Sequence, residues 1–452
     1  MESKTTHETT AEKPWETLTP EEKLERRLAA WLSPPGVKFD SPEAEAAYKE
    51  RVTNIIDAIQ IKRIPARIPI LPSFRGFGEA YCGYTHHDIM YDVEKAINVM
   101  TKCTLDFQLD TKAEAAVQQG KVYDILDDKT HIWPGHGLPL DADGLQYVEN
   151  EYMKADEYDA FFDDPSDYQM RTHLPRTWGA VAGLTRLSSL AEANISRFGQ
   201  PEVQAALMKL MEAGREALPW QQKMDAANRR LTEQGFPSLY GRGGGAGPPF
   251  SRFGDSLRGT HGIMMDMFRQ PEKLIESMER LVPVHIKRAA AAARLGTSPI
   301  VDFHLHKGFD SIMSDEKFRT FYWGPVRKII LGIIEEGLLL HLRLEGSFNS
   351  RLETMSELPK GKTIWWLSHE TDTARAKEIA GDVACIAGNV PAGLIHTGTT
   401  EEIATYCRNL IKVAGKGGGY MFAMPQEGIH RNTKAENVWA MINTAKQYGA
   451  YS

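Results

Sequence analysis

Polar and apolar residues alternate in two late segments, Val301-Asp302-Phe303-His304-Leu305-His306 and His341-Leu342-Arg343-Leu344-Glu345-Gly346. A strand turns successive side chains to opposite faces, so Asp302, His304 and His306 share one face, as do His341, Arg343 and Glu345. These faces look either at water or into a closed space where charge must be paired, bound to metal or used in chemistry. Similar reasoning yields eight strands: Ile68 to Ser73, Thr104 to Asp110, Phe236 to Arg242, Pro299 to His306, Leu338 to Glu345, Thr363 to Ser368, Val383 to Gly388, and Tyr420 to Met424. Amphipathic helices follow most of them, as at Thr400 to Ala414 with Ile403, Cys407, Leu410 and Ile411 in helical register.

Eight strand–helix units predict an α/β fold, a (β/α)8 TIM barrel over residues 51–452. Residues 1–50 are expected to be a disordered tail, reaching about Pro20, and N-terminal helices. Thr19-Pro20-Glu21-Glu22 reads as a helix start, and a second helix runs from about Ser41 to Ile61. The interval after the second strand is too long for one crossover. We read residues 120–233 as an inserted helical cap, with an aromatic segment, Tyr147 to Tyr168, and long helices over about Pro201 to Gln234. The aromatic segment could cover a ligand or form the core of the cap. In a barrel, His306 and Glu345 end their strands at the mouth and face one another, with His304 and Arg343 a layer beneath. Asp106, Gln108 and Asp110 repeat the alternation on the second strand, and three polar-faced strands point to a lined cavity.

Charge narrows the partners. The 53 Lys and Arg against 60 Asp and Glu give −7 with no long basic run, which argues against nucleic acid or an anionic membrane and leaves a small molecule or another protein. The N-terminus lacks the apolar core of a secretory signal, and the longest apolar run, Ile329 to Leu340, is interrupted by Glu335 and Glu336 and is too short to span a bilayer. Cys82, Cys103, Cys385 and Cys407 form no Cys-x-x-Cys pair, so a soluble protein of the reducing cytoplasm is expected. A homodimer is compatible with the sequence.

Other motifs weigh less. The Gly241 to Gly247 run lacks the Gly-Lys-Ser/Thr ending of a phosphate loop and reads as a flexible mouth loop. In His86-His87-Asp88 adjacent residues face apart, so a loop or helix start is expected rather than a metal tripeptide. His304 and His306 also have a purely structural reading, satisfied by Asp302 and nearby carbonyls. His341 and Arg343 have one too, pairing the acids of the second strand.

Cys385-Ile386-Ala387-Gly388-Asn389-Val390-Pro391, Gly398-Thr399-Thr400-Glu401-Glu402, Gly415-Lys416-Gly417-Gly418-Gly419-Tyr420-Met421-Phe422 and Lys434-Ala435-Glu436-Asn437-Val438, in that order, resemble the uroporphyrinogen decarboxylase superfamily. Gly247-Pro248-Pro249-Phe250 and Leu257-Arg258-Gly259 fit its third strand and loop. The resemblance implies a TIM barrel and one of two chemistries: cofactor-free decarboxylation of tetrapyrrole acetates, or zinc-dependent methyl transfer involving corrinoid proteins and thiols. Of the decarboxylase pattern only Arg75 stands where paired arginines belong. Asp255 and Glu427 replace its tyrosine and late histidine, and Asp110 stands at the aspartate ending the second strand. These acids would repel a porphyrin's carboxylates. Of the thiol-activating pattern, Arg343 replaces the histidine, Glu345 the first cysteine, and Glu427 stands at or near the later cysteine. The thiolate site is absent, while His304, His306, Glu345 and Glu427 form a harder set that could hold zinc.

The resemblance therefore implies a methyltransferase that demethylates, or dehalogenates, a small compound and passes the methyl group to a separate corrinoid protein. The chain has no Asp-x-His-x-x-Gly cobalamin signature of its own. Expected catalytic residues are Glu345, His306, Glu427 and Asp255; expected substrate contacts are Arg75, Asp110, Arg343, His341 and Asn389. The alternatives are a cofactor-independent decarboxylase or lyase of a small carboxylic acid, with Arg75 holding the carboxylate and a histidine donating the proton, and a non-catalytic accessory barrel.

Overall fold

The computed structural model of the protein describes residues 13–114, 118–192, 194–241 and 245–451. Six strands form a curled parallel sheet: β1 (Ile70–Leu71), β5 (Ile300–Leu305), β6 (Leu339–Leu344), β7 (Thr363–Leu367), β8 (Cys385–Ala387) and β9 (Tyr420–Ala423). Their order is β1-β9-β8-β7-β6-β5. Three short strands, β2 (His131–Pro134), β3 (Gly137–Leu138) and β4 (Gln146–Tyr147), form a separate small sheet.

The expected second and third strands are absent among the described residues. Thr104 to Phe107 is the last turn of a helix, Val93–Phe107, whose buried Val99, Met100, Cys103 and Phe107 keep helical spacing. That spacing overrides the alternation of Asp106, Gln108 and Asp110, because a buried helical face outweighs a short polar pattern. Asp106 pairs with Lys102 at 2.5 Å, and Gln108 ends the helix in the left-handed region, φ 49°. The third expected strand reaches residue 242, beyond the described residues, and its described part is irregular. Single hydrogen bonds nevertheless link the two sheet edges through these segments: Asp110 N–H to the Ile70 carbonyl, Lys112 N–H to Pro237 and Gly241 N–H to Ile300.

The alternation on β5 and β6 holds. Val301, Phe303 and Leu305, with Leu340, Leu342 and Leu344, are buried in the outer core with the surrounding helices. The opposite, inward face begins apolar. Ile300, Leu339, Ile364 and Met421 join Trp31, Tyr48, Val52 and Ile55 of the helices Pro20–Leu32 and Pro42–Gln60 in a second core. The N-terminal extension therefore seals the end of the curled sheet where the strands begin, leaving the polar half of its interior at the other end. Both helices start as expected, with Thr19 in a capping box and Ser41 accepting from the Ala44 N–H. The tail is shorter than expected: Trp15–Thr17 forms one helical turn, with the Arg27 guanidinium 4.7 Å from the Trp15 ring. Residues 1–12 lie outside the described part.

The insertion is not purely helical, since the small sheet precedes its long helix, Pro201–Glu233. Its aromatic segment is divided. Tyr158 and Phe161 pack on Phe253 at 6.0 and 5.6 Å, making a core against the helix Pro249–Ser256, whereas Tyr147 is exposed. His86–Tyr91 is a helix capped by Thr85, as the sequence reading expects of His86-His87-Asp88. No helix among the described residues is long and apolar enough to cross a membrane.

Asp110 belongs to this framework. Its buried carboxylate accepts from the Ile70 N–H at 2.7 Å and from Arg67 at 2.8 Å, on the β1 edge. Asp110→Ala leaves that cation and amide without their partner, and urea unfolding should show a loss of about 3 kcal/mol.

Candidate active site

The parallel register sets Asp302 opposite His341 and His304 opposite Arg343. At the end where β5 and β6 finish, the side chains form two histidine–carboxylate pairs. His304 Nε2 lies 2.6 Å from Glu345 Oε1, and His306 Nε2 lies 2.6 Å from Asp255 Oδ2. The rings of His304 and His306 are 5.4 Å apart, edge to face. This corrects the expectation that His306 faces Glu345: the long glutamate side chain meets the deeper histidine, and His306 turns to the helix Pro249–Ser256, which carries Asp255. That helix begins at the Pro248-Pro249 step, where proline's fixed φ suits a first turn.

The two pairs differ in exposure. His304 and Glu345 are 44% and 45% exposed, whereas His306 and Asp255 are 29% and 30% exposed. Burial pushes the Glu345 carboxyl up, but the His304 hydrogen bond and the charges of His304, His306 and Arg75 outweigh it, so it ionises below the usual range. Burial likewise raises Asp255, and His306 and Lys307 together bring it below the usual range. Lys307 Nζ is 3.3 Å from Asp255 Oδ1.

Beneath them lies a buried polar layer. Arg343 donates to Asp302 at 2.8 Å and to the Tyr240 hydroxyl at 2.9 Å. Burial opposes its charge, but Tyr240, Asp302 and Glu114 outweigh burial and hold it cationic. His341 Nδ1 is 2.6 Å from the same hydroxyl, and its ring stacks on Trp366 at 5.2 Å. Burial, then Arg343 and His304, push His341 well below its ordinary pKa, so it is neutral. His341 thus meets Tyr240, and Arg343 meets Asp302, Tyr240 and, at 3.7 Å, Glu114, rather than the acids of the expected second strand.

A cavity of about 100 Å³ adjoins this layer, bordered by Phe74, Arg75, Val99, Arg343, Trp366 and Gln426. Gln426 Nε2 donates to the Leu344 carbonyl at 2.9 Å, while its Oε1 is buried without a partner among the described residues. Arg75 borders the cavity and has no ion-pair partner among the described residues.

The remaining expected residues stand elsewhere. Glu427 faces His369 at 3.6 Å, separate from both pairs. Asn389 spends its amide on the Ser368 and Thr371 carbonyls and accepts from Thr373, so it braces the loops after β7 and β8. Asp110 is held on the β1 edge as described. His304, His306, Glu345 and Glu427 do not converge. Among the described residues no three His, Cys, Asp or Glu side chains meet at a point that would hold a metal. As arranged, the donors satisfy one another, which does not fit zinc.

Residues 239–448 match the family model of uroporphyrinogen decarboxylase (URO-D). The fold is similar to that of a methyltransferase from Methanosarcina mazei, with a TM-score of 0.57 and 14% sequence identity, covering 89% of this chain and 98% of that chain. No curated protein matches the chain. Both histidine–carboxylate pairs and Arg343 lie inside the URO-D stretch, whereas Arg75 and Asp110 precede it. The sequence reading missed Tyr240, Lys307 and Gln426. Lys307 directly follows His306 and Gln426 precedes Glu427, but a lysine or glutamine at a strand end carries no spacing signal.

The depressed carboxylates set a pH dependence. A carboxyl whose folded pKa lies below its unfolded value stabilises the fold above the unfolded value and loses that contribution as pH falls through the folded one. On acidification below about pH 4, Asp255→Asn should lose less stability than the unaltered protein, read from urea midpoints across pH.

Proposed function

We propose that this URO-D-type protein is an enzyme of methyl transfer, removing a methyl group from a small compound and delivering it to a corrinoid on a separate protein. The observation that carries the reading is the two adjacent histidine–carboxylate pairs at the sheet's C-terminal end, where barrels of this kind place their chemistry. The likeness to a methyltransferase supports the same class.

Demethylation leaves an oxygen, nitrogen or sulfur atom holding the electron pair of the broken bond to carbon. A histidinium beside that atom gives it a proton and removes the cost of expelling an anion, the role a carboxylate-oriented imidazole suits. The corrinoid of the partner supplies the nucleophile that takes the methyl group. The half-exposed His304 and Glu345 make the site reachable from outside. The substrate's body lies in the adjoining cavity, with Gln426 Oε1 accepting a hydrogen bond and Arg75 facing an anionic group. No step passes through a metal. Cytoplasmic residence suits the four free cysteines.

A second reading draws on Arg75: a carboxylate held there is released as CO2, the electron pair stays on carbon, and a histidine protonates it. The test is the full chain mixed with cob(I)alamin and a panel of methyl ethers, methylamines, thioethers and methyl halides, followed by the loss of the cobalt(I) absorption. Methylation by at least one donor, lowered about 10²- to 10⁴-fold in His306→Gln, is expected. No methylation with any donor, or CO2 release instead, overturns the reading. Stoichiometric zinc that disappears in Glu345→Ala would establish the metal site that the side-chain arrangement does not fit.

A further inference from the structure

The cavity of about 100 Å³ beside the buried layer is bordered by two opposite charges that do not meet. Glu79 pairs with His86, whereas Arg75, four positions earlier, has no ion-pair partner among the described residues. Glu79 is 6% exposed, and its Oε1 lies 3.2 Å from His86 Nδ1. Its other oxygen has no hydrogen-bond partner among the described residues. A carboxylate withdrawn from water is costly unless donors meet its lone pairs, and one side of this one still lacks a donor.

The segment carrying Glu79 is fixed in the cavity wall. Phe77 N–H donates to the Ile429 carbonyl at 2.8 Å, and Tyr84 N–H to the Glu79 carbonyl at 2.8 Å. The short helix Phe77–Tyr81 approaches the helix Val93–Phe107 through Gly78, where a Cβ would come 3.3 Å from Val99 and from Cys103. The other charged groups around the cavity have protein partners. Lys112 donates to the Asn228 carbonyl and the Thr232 hydroxyl, Arg343 to Asp302 and Tyr240, and Glu114 lies 3.7 Å from Arg343. Glu79 is therefore the group placed to receive a donor, and Arg75 the group placed to receive an anion. Gln426 Oε1 adds a second acceptor without a donor among the described residues. Phe74 and Trp366 give the same space apolar walls.

We propose that this cavity is a receptor for a small zwitterion, an N-methylated amino acid whose N–H-bearing ammonium donates to Glu79 and Gln426 and whose carboxylate meets Arg75. An apolar space of about 150 Å³ takes a benzene ring, so this one takes roughly four to six heavy atoms. That is the methylated amine and its methylene, with the carboxylate at the exposed Arg75. A quaternary ammonium has no N–H and leaves both acceptors unmet, so the site selects secondary and tertiary amines. This rests on the methyl-transfer reading and names its substrate class. The N–CH3 bond breaks, its electron pair stays on nitrogen, and the methyl carbon bonds through the electron pair of cobalt(I). The ammonium proton remains, so a neutral amine departs. A histidinium at the mouth is then the group that keeps the nitrogen protonated.

The test is calorimetric titration of the full chain, without corrinoid, with N,N-dimethylglycine, which should bind saturably below about 10 mM. Methoxyacetate lacks the ammonium, N,N-dimethylethylamine the carboxylate and trimethylammonium acetate the N–H. Each should bind about ten- to hundredfold more weakly. Arg75→Met should weaken dimethylglycine by a similar factor and leave dimethylethylamine unchanged. Glu79→Gln, folded by circular dichroism, should weaken dimethylglycine and leave methoxyacetate unchanged; if it does not fold, Arg75→Met and the three analogues decide. No binding of dimethylglycine, an analogue that binds as tightly, or an unchanged affinity in Arg75→Met or folded Glu79→Gln overturns the inference. Binding without methylation of cob(I)alamin sinks the methyl-transfer reading and leaves the receptor. Methylation by ethers or halides alone sinks the receptor and leaves that reading.

Discussion

The parallel register between β5 and β6 is the constraint on which the site depends. Six consecutive residues of each strand pair, from Ile300 with Leu339 to Leu305 with Leu344. A slip of one residue would send Asp302, His304, His341 and Arg343 outward among the leucines and bring Phe303 and Leu342 inward. The outer core and the inner polar layer therefore specify the same register. Burying Arg343 is tolerable because Asp302 and Tyr240 meet it directly, and an unpartnered guanidinium at that depth would cost several kcal/mol.

A second constraint is the division of the sheet interior along its length. Leu339 and Ile364 near the strand starts need apolar cover, and the two N-terminal helices supply it with Trp31, Val52 and Ile55. With that end closed by hydrocarbon, polar side chains concentrate at the other end, where the pairs open outward. The cap braces this opening. Arg258, almost fully buried, joins Asp266 to Glu151 and to the Met153 carbonyl, tying the aromatic segment to the helix after Asp255.

The match of residues 239–448 to the URO-D family model and the chemistry of the site are separate matters. Folds are shared across reactions, and the reaction lies in the side chains grafted onto them. Here the histidine and first cysteine positions of the thiol-activating pattern hold Arg343 and Glu345, and these make different partnerships: one locks the floor, the other pairs with His304. Proton transfer is the chemistry such pairs perform without further ligands. Arg75, with no ion-pair partner among the described residues, and the Gln426 Oε1, with no hydrogen-bond partner among them, are among the polar groups that border the adjoining cavity.

Much of this was legible in the chain. Period-two alternation determined which faces of β5 and β6 are polar, because strand geometry turns each residue over its neighbour whatever surrounds it. Capping chemistry determined the helix starts at Thr19 and Ser41 for the same local reason. Tertiary structure alone decided that Thr104 to Phe107 is helix, since that depends on what Cys103 and Phe107 pack against. It also decided the partners: Glu345 with His304, Asp255 with His306, Lys307 bridging to Asp255 and Thr260. Asp255 and His306 are 51 positions apart in the chain and 2.6 Å apart in space. A pattern read along one strand tells which way a side chain points. How far it reaches and what meets it are set by elements distant in the chain, through packing no local spacing encodes.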